Sequence, residues 1–188
     1  MLQQTQVSRV ELFYPAFLKR FPTIAHLAEA QPRAVREAWE GLGYYARARN
    51  LHALAKQVVG RHDGRLPDEP DDLIELPGVG RYTAGAVASF AYEKPVATVD
   101  TNVARVLRRV FIGERGLRIA DFGLRNRKAG SDRLWRIAAA LVPRNGKTAW
   151  RFNQALMELG ALICTARSPE CPKCPVRKLC KSASHFSH

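Results

Sequence analysis

The chain has 188 residues, enough for one large domain or two small ones sharing an interface, and its 46% hydrophobic content is ordinary for a globular protein. Thirty Lys and Arg against seventeen Asp and Glu leave a net charge of +13, which points to a polyanion bound by phosphate neutralisation and counterion release. No apolar run is long enough to cross a bilayer and the Gln-rich start is unlike a secretory signal, so no membrane partner is expected and the chain is read as cytosolic, from a bacterium or an organelle.

Taken in chain order, the apolar spacing is helical nearly throughout. Val7, Val10, Tyr14, Phe17 and Leu18 recur at helical intervals, and Leu51, Leu54, Ala55, Val58 and Val59 do the same in the next long segment. Further helices are predicted near 32–40, 70–75, 81–92, 101–111, 131–142 and 148–163. Breakers separate them: Pro22, Pro32, the Gly41/Gly43 pair, Gly64 to Pro70, Pro77-Gly78, and Pro143 to Gly146. Val96 to Val99 is too short to argue for a sheet and reads as an extended linker. Residues 113–130, rich in Gly and Arg, read as an exposed loop, and Ser182 to His188 as a frayed end. The predicted class is all-α.

Leu76-Pro77-Gly78-Val79-Gly80-Arg81-Tyr82-Thr83-Ala84-Gly85 lies between two helical stretches. Glycines at 78 and 80 allow positive φ and close approach of another backbone. The amides that follow open a helix, so N–H groups and the helix dipole face whatever sits in the turn. Such a turn holds a phosphate and positions DNA without reading its sequence. A plain tight turn between helices is the alternative for an isolated GxG. Here the segment resembles, almost letter for letter, the helix-hairpin-helix motif of base-excision DNA glycosylases. About twenty residues on stands Val99-Asp100-Thr101-Asn102-Val103, where that superfamily carries its catalytic aspartate.

All four cysteines, Cys164, Cys171, Cys174 and Cys180, fall in one C-terminal segment spaced C-x6-C-x2-C-x5-C. A disulfide framework would spread them more widely, so a metal or cluster site is expected, and four thiolates suit either zinc or an iron–sulfur cluster. Structural zinc sites more often use two paired knuckles, and this segment has one. The spacing matches the 4Fe–4S loop of the same superfamily, and the resemblance therefore implies a 4Fe–4S cofactor. Arg167, Lys173, Arg177, Lys178 and Lys181 would border that loop as a phosphate-binding surface or a solvated rim.

Within the superfamily, Gly41-Leu42-Gly43-Tyr44-Tyr45-Ala46-Arg47-Ala48-Arg49-Asn50-Leu51-His52 and Met1-Leu2-Gln3-Gln4-Thr5-Gln6-Val7 are similar to signatures of the MutY family, which removes adenine mispaired with 8-oxoguanine or guanine. Tyr82 occupies the position where glycosylase-lyases of the endonuclease III type place a Schiff-base lysine, so strand cleavage through an imine is not expected.

The roles that follow are implied by this resemblance. Asp100 would stabilise, or transiently bond to, an oxocarbenium-like sugar, though the same residue could simply cap the helix after it. Gln4 and Tyr44 would wedge into the base stack, and Gly78, Val79, Gly80 and Asn102 would contact DNA with them. Leu2, Tyr82 and Gln154, the last in Phe152-Asn153-Gln154-Ala155, would line an adenine pocket. The family pattern places its proton-donating glutamate two residues before Met1, so the chain as given is expected to start just after that acid. Glu37 belongs to a different helix and is not assigned the role. The family's C-terminal 8-oxoguanine-reading domain is expected to lie outside the chain.

The predicted architecture is two-lobed: residues 1–96, most of a six-helix module ending in the hairpin at 76–85, and residues 97–188, a cluster-bearing lobe with its loop at 164–180. DNA is expected in the cleft between them. The predicted enzyme is a monomeric, monofunctional adenine DNA glycosylase acting on double-stranded DNA with A:8-oxoG or A:G mispairs. Two other readings are carried: a thymine-mismatch or other-base glycosylase, and a non-catalytic iron–sulfur DNA-binding module.

Overall fold

A computed structural model describes residues 1–113 and 127–186. Among them there are nine α-helices and no strand, so the all-α expectation holds. None of these helices is long and apolar enough to cross a membrane. The chain divides into two compact units, Met1–Gly80 and Arg81–His188.

The first unit contains α1 (Val7–Arg20), α2 (Ile24–Glu29), α3 (Pro32–Ala38), α4 (Ala46–Arg61) and α5 (Pro70–Ile74). Its centre is Trp39, 1% exposed, with Phe17 edge-on at 5.8 Å and Phe21 edge-on to Phe17 at 5.1 Å. α4 buries Ala48, His52, Ala55 and Val58, one helical face whose small alanines let α2 and α3 pack closely against it. α2 is an element that the apolar spacing does not reveal, because six residues are too few to display a period. Its start signal is present: Thr23 accepts a hydrogen bond from the His26 amide at 3.2 Å. The face predicted for α1 is only partly buried. Val10 and Phe17 lie inside, whereas Val7, Tyr14 and Leu18 remain exposed.

The second unit holds α6 (Arg81–Tyr92), α7 (Thr101–Leu107), α8 (Arg127–Leu141) and α9 (Gly146–Glu158). α7 is central: Val103 and Leu107 are fully buried against Leu134 and Ala138 of α8, and Leu156 of α9 packs on the same cluster. α9 begins at Asn145, whose side chain accepts from the Thr148 amide at 3.1 Å. Asn153, 1% exposed, donates to Ser89 Oγ at 2.9 Å and to the Val96 carbonyl at 2.8 Å. It thereby ties α9 to α6 and to the extended segment that leads to Asp100.

Four sequence expectations change. The helices predicted for 101–111 and 148–163 are each an α-helix followed by one π turn, Arg108–Ile112 and Leu159–Ile163. Each turn closes on a wider hydrogen bond, Gly113 N to Arg108 O at 2.9 Å and Cys164 N to Leu159 O at 2.6 Å, and hydrophobic periodicity cannot register that extra residue. Of the loop predicted at 113–130, Gly113 is buried and residues 127–130 already belong to α8, while 114–126 lie outside the described residues. The frayed end predicted at 182–188 is instead folded through Phe186, with Ser182 buried and its amide bonded to Arg109 O at 3.1 Å; residues 187–188 lie outside the described residues.

Candidate functional site

In the first unit, the two segments expected to enter DNA are built on unusual backbone. Gln4 and Tyr44 are non-glycine residues with positive φ, 58° and 49°, a conformation disfavoured by contact between Cβ and the following carbonyl. Both side chains project to solvent, and Tyr44 is 64% exposed. Leu2 is exposed too. Arg9 Nε donates to Gly41 O at 2.9 Å, and its Nη2 bonds the same oxygen. Trp39 Nε1 donates to Gly43 O at 3.1 Å. Arg47, at the start of α4, donates to Met1 O (2.8 Å), Gln3 O, Leu42 O (3.1 Å) and Gly43 O (3.3 Å). In the sequence Arg47 is one letter of a signature, with no sign of this task.

The hairpin turn closes with Val79 N donating to Leu76 O at 3.1 Å, so that amide is already occupied within the turn. Gly78 has φ of +78°, and a Cβ there would stand 2.7 Å from Asn50 Cβ of α4. Gly80 departs from expectation. It has no positive φ, and among the described residues a Cβ added there would meet no atom within 4 Å, so its missing side chain serves no packing with them. The helix that follows is secured inside the second unit, where Arg81 lies over the Trp135 ring at 4.3 Å and pairs with Asp132 at 3.3 Å.

Asp100 is the N-cap of α7. Its Oδ1 accepts from the Val103 amide at 2.7 Å and its Oδ2 from Asn102 Nδ2 at 3.2 Å. Asn102 in turn accepts from Arg105 Nη2 at 2.9 Å, while Arg105 also donates to Gly160 O (2.6 Å) and Cys164 O (2.8 Å). An unbroken run of hydrogen bonds thus links Asp100 to the first cysteine. Gly160 admits α7 at this point, since a Cβ there would lie 2.8 Å from Asn102 Cβ. Tyr82 stands within the field of Asp100. Partial burial, followed by the repulsion of that carboxylate, holds its phenol above the usual range. Gln154 is not aimed at this group, because its amide donates to Glu158 Oε1 one turn on, at 3.0 Å. Glu37, set aside from the sequence, is held by hydrogen bonds from Arg33 and then Arg20, which lower its pKa.

Cys164, Cys171, Cys174 and Cys180 are all free and half-buried, and all four line a single pocket. Burial, and more weakly the other three cysteines, push the Cys180 thiol up. Among the described residues no three His, Cys, Asp or Glu side chains are close enough to hold one metal ion. Four thiols that line one pocket are a donor set that either a zinc ion or an iron–sulfur cluster can take. The pocket wall includes the buried Arg109, which the sequence does not single out. Its Nη1 donates to Thr165 O (2.7 Å) and Cys164 Sγ (3.4 Å), its Nη2 to Ala166 O (3.1 Å), and Phe186 covers its guanidinium at 4.4 Å.

Residues 1–119 match the HhH-GPD superfamily base excision DNA repair protein family. The chain is 46% identical over 176 residues to an adenine DNA glycosylase of Mycolicibacterium smegmatis, covering 94% of this chain and 56% of that protein. It is 45% identical over 186 residues to the adenine DNA glycosylase of Homo sapiens, covering 97% and 32%. Among solved structures, a thermostable thymine-DNA glycosylase superposes with a TM-score of 0.82 at 31% identity, over 98% of this chain and 80% of that one. The chain therefore spans about half of the first relative and a third of the second. With the hairpin, the capping aspartate and the cysteine pocket in place, and residues 1–119 matched, the chain belongs to the HhH-GPD superfamily of base excision DNA repair proteins.

Proposed function

We propose that the chain carries the core of a monofunctional adenine DNA glycosylase, which hydrolyses the N-glycosidic bond of adenine opposite 8-oxoguanine or guanine in duplex DNA. The likeness to two adenine DNA glycosylases supports the choice of base. The observation that carries the reaction type is the fixed carboxylate of Asp100, which accepts from the Val103 amide and from Asn102 Nδ2. A carboxylate whose two oxygens are fixed by hydrogen bonds is ready to stabilise a developing sugar cation. Position 82 holds a phenol and not an amine, so water and not an amine adds to C1′ as the C1′–N bond breaks and adenine leaves carrying a proton.

In this reading Gln4 and Tyr44 enter the base stack, and the turn at Gly78, Val79 and Gly80, with Asn102, meets the phosphate backbone. Leu2, Tyr82 and Gln154 line the adenine pocket, which requires the Gln154 amide to leave Glu158 when adenine enters. Cys164, Cys171, Cys174 and Cys180 hold a 4Fe–4S cluster, which supplies a covalent cross-link of the 164–180 segment and no redox step on the substrate. The protein works as a monomer wherever the cell's DNA lies.

A second reading, thymine release from T:G mispairs, is favoured by the structural likeness to a thymine-DNA glycosylase. The test is single-turnover base release from A:8-oxoG, A:G and T:G duplexes. It is run with the chain as given and with a form extended upstream by the family's Glu-Val pair. Adenine release by either form is the expected result. Thymine release would transfer the assignment to the second reading, and duplex binding with no release from either form would leave a binding module.

A further inference from the structure

We propose that Arg47 is a positioning residue that locks Gln4 and Tyr44 into one two-pronged unit, by pinning the peptide planes that set the φ angle of each. The inference rests on the reading of Gln4 and Tyr44 as wedges and adds the device that aims them.

The torsion φ of a residue is measured against the peptide plane before it. The plane before Gln4 carries the Gln3 carbonyl, and the plane before Tyr44 carries the Gly43 carbonyl. Arg47 donates to both, Nη1 to Gln3 O and Nη2 to Gly43 O at 3.3 Å. Flanking bonds to Met1 O at 2.8 Å and Leu42 O at 3.1 Å steady the neighbouring backbone in each segment. The two residues downstream of the pinned planes are two of only four described non-glycine residues with positive φ, at 58° and 49°. Left-handed backbone persists at such residues only where the surroundings enforce it. The guanidinium also lies over the Tyr44 ring at 5.3 Å and the Trp39 ring at 5.5 Å, so one face of the exposed tyrosine is backed by a cation anchored to the core. A planar fork with several N–H donors can reach four carbonyls in this way, and a lysine ammonium cannot.

The experiment measures the chain's affinity for an A:8-oxoG duplex and the fluorescence of a 2-aminopurine placed beside the target, which brightens when the stack is opened. Tyr44→Ala, Gln4→Ala, Arg47→Lys and the Arg47→Lys/Tyr44→Ala double variant are compared. Arg47→Gln serves as a second replacement should the lysine variant fail to fold. Val58→Ala, in the buried core, controls for general loss of stability. The expected result is a fall of about tenfold in affinity for Arg47→Lys, of the size that loss of charge-assisted hydrogen bonds produces, with fluorescence reduced to the level of Tyr44→Ala. The double variant should fall below Tyr44→Ala by no more than the loss seen in Gln4→Ala, because the Tyr44 share is already gone and only the Gln4 prong is left to release. Val58→Ala should lower the melting temperature and keep the fluorescence. Unchanged affinity and fluorescence in Arg47→Lys would overturn the inference, as would losses in the double variant equal to the product of the single losses. If neither Tyr44→Ala nor Gln4→Ala changes either signal, the wedge reading fails and the role of Arg47 falls with it.

Discussion

Asp100 shows how one carboxylate can be structural and chemical together. As an N-cap it satisfies an amide that α7 would otherwise leave open, and the same bonds hold it still. Asparagine caps a helix about as well as aspartate, so Asp100→Asn should melt within a few degrees of the parent and bind duplex DNA normally. It should abolish adenine release in the upstream-extended form, and retained release would remove Asp100 from the mechanism. Asp100→Ala should in addition lose about 0.5–2 kcal/mol of stability in chemical denaturation. Tyr82 provides an independent probe of the same pair. Its raised pKa means that the neutral phenol is retained past the ordinary phenol range, and the associated stability is complete below that range and lost as pH climbs through Tyr82's own value. Ultraviolet titration, differenced against Tyr82→Phe, should show late ionisation. Asp100→Asn should move it down only partway, since burial is the larger cause. A midpoint indifferent to Asp100 would separate the two groups. At this scale the sequence is readable wherever a residue type carries its own chemistry, as an aspartate or a cysteine does. Arg47, Arg105 and Arg109 are not readable in that way. A guanidinium bonded to backbone carbonyls looks in the sequence like any other basic residue, and these three are among thirty.

At the scale of elements, the hairpin divides its two glycines by task. Gly78 is required by the fold, through its positive φ and its contact with Asn50. Gly80 is not, since nothing among the described residues occupies the space beside it. Gly78→Ala is therefore expected to destabilise the protein by about 1–3 kcal/mol. Gly80→Val should leave the melting temperature nearly unchanged and weaken binding to matched and mismatched duplex alike. Calorimetry and a binding titration on both variants check this. A loss confined to mismatched duplex in Gly80→Val would mean that the turn does not meet the phosphate backbone generally. The π turns at Arg108–Ile112 and Leu159–Ile163 escape sequence reading because they interrupt no hydrophobic run. They matter because one turn delivers the chain to Cys164, and the other contains Arg109, whose carbonyl accepts from the Ser182 amide at 3.1 Å.

On the scale of the whole molecule, the four cysteines share one pocket in the second unit, and the interior there is partly polar, with Arg109, Asn153 and Ser182 all buried. The purified protein is expected to contain iron and inorganic sulfide in equal amounts with no zinc. Cys174→Ser should lose both, and with them the folded 164–180 segment and most of its affinity for DNA. Zinc found without sulfide in elemental analysis would return the site to the other alternative that four thiolates allow. The class of fold, the hairpin, the cysteine quartet and the basic charge were determined by the sequence alone. Each depends on residue type and local spacing, which a chain carries before it folds. What only the tertiary structure decided was which polar groups became partners: Arg47 with four carbonyls, Arg105 between Asn102 and Cys164, Asn153 beneath the extended approach to Asp100. The long-range bonds among them join residues 40 to 60 positions apart, and burial decides them, because a donor removed from water must find an acceptor wherever the packed chain presents one.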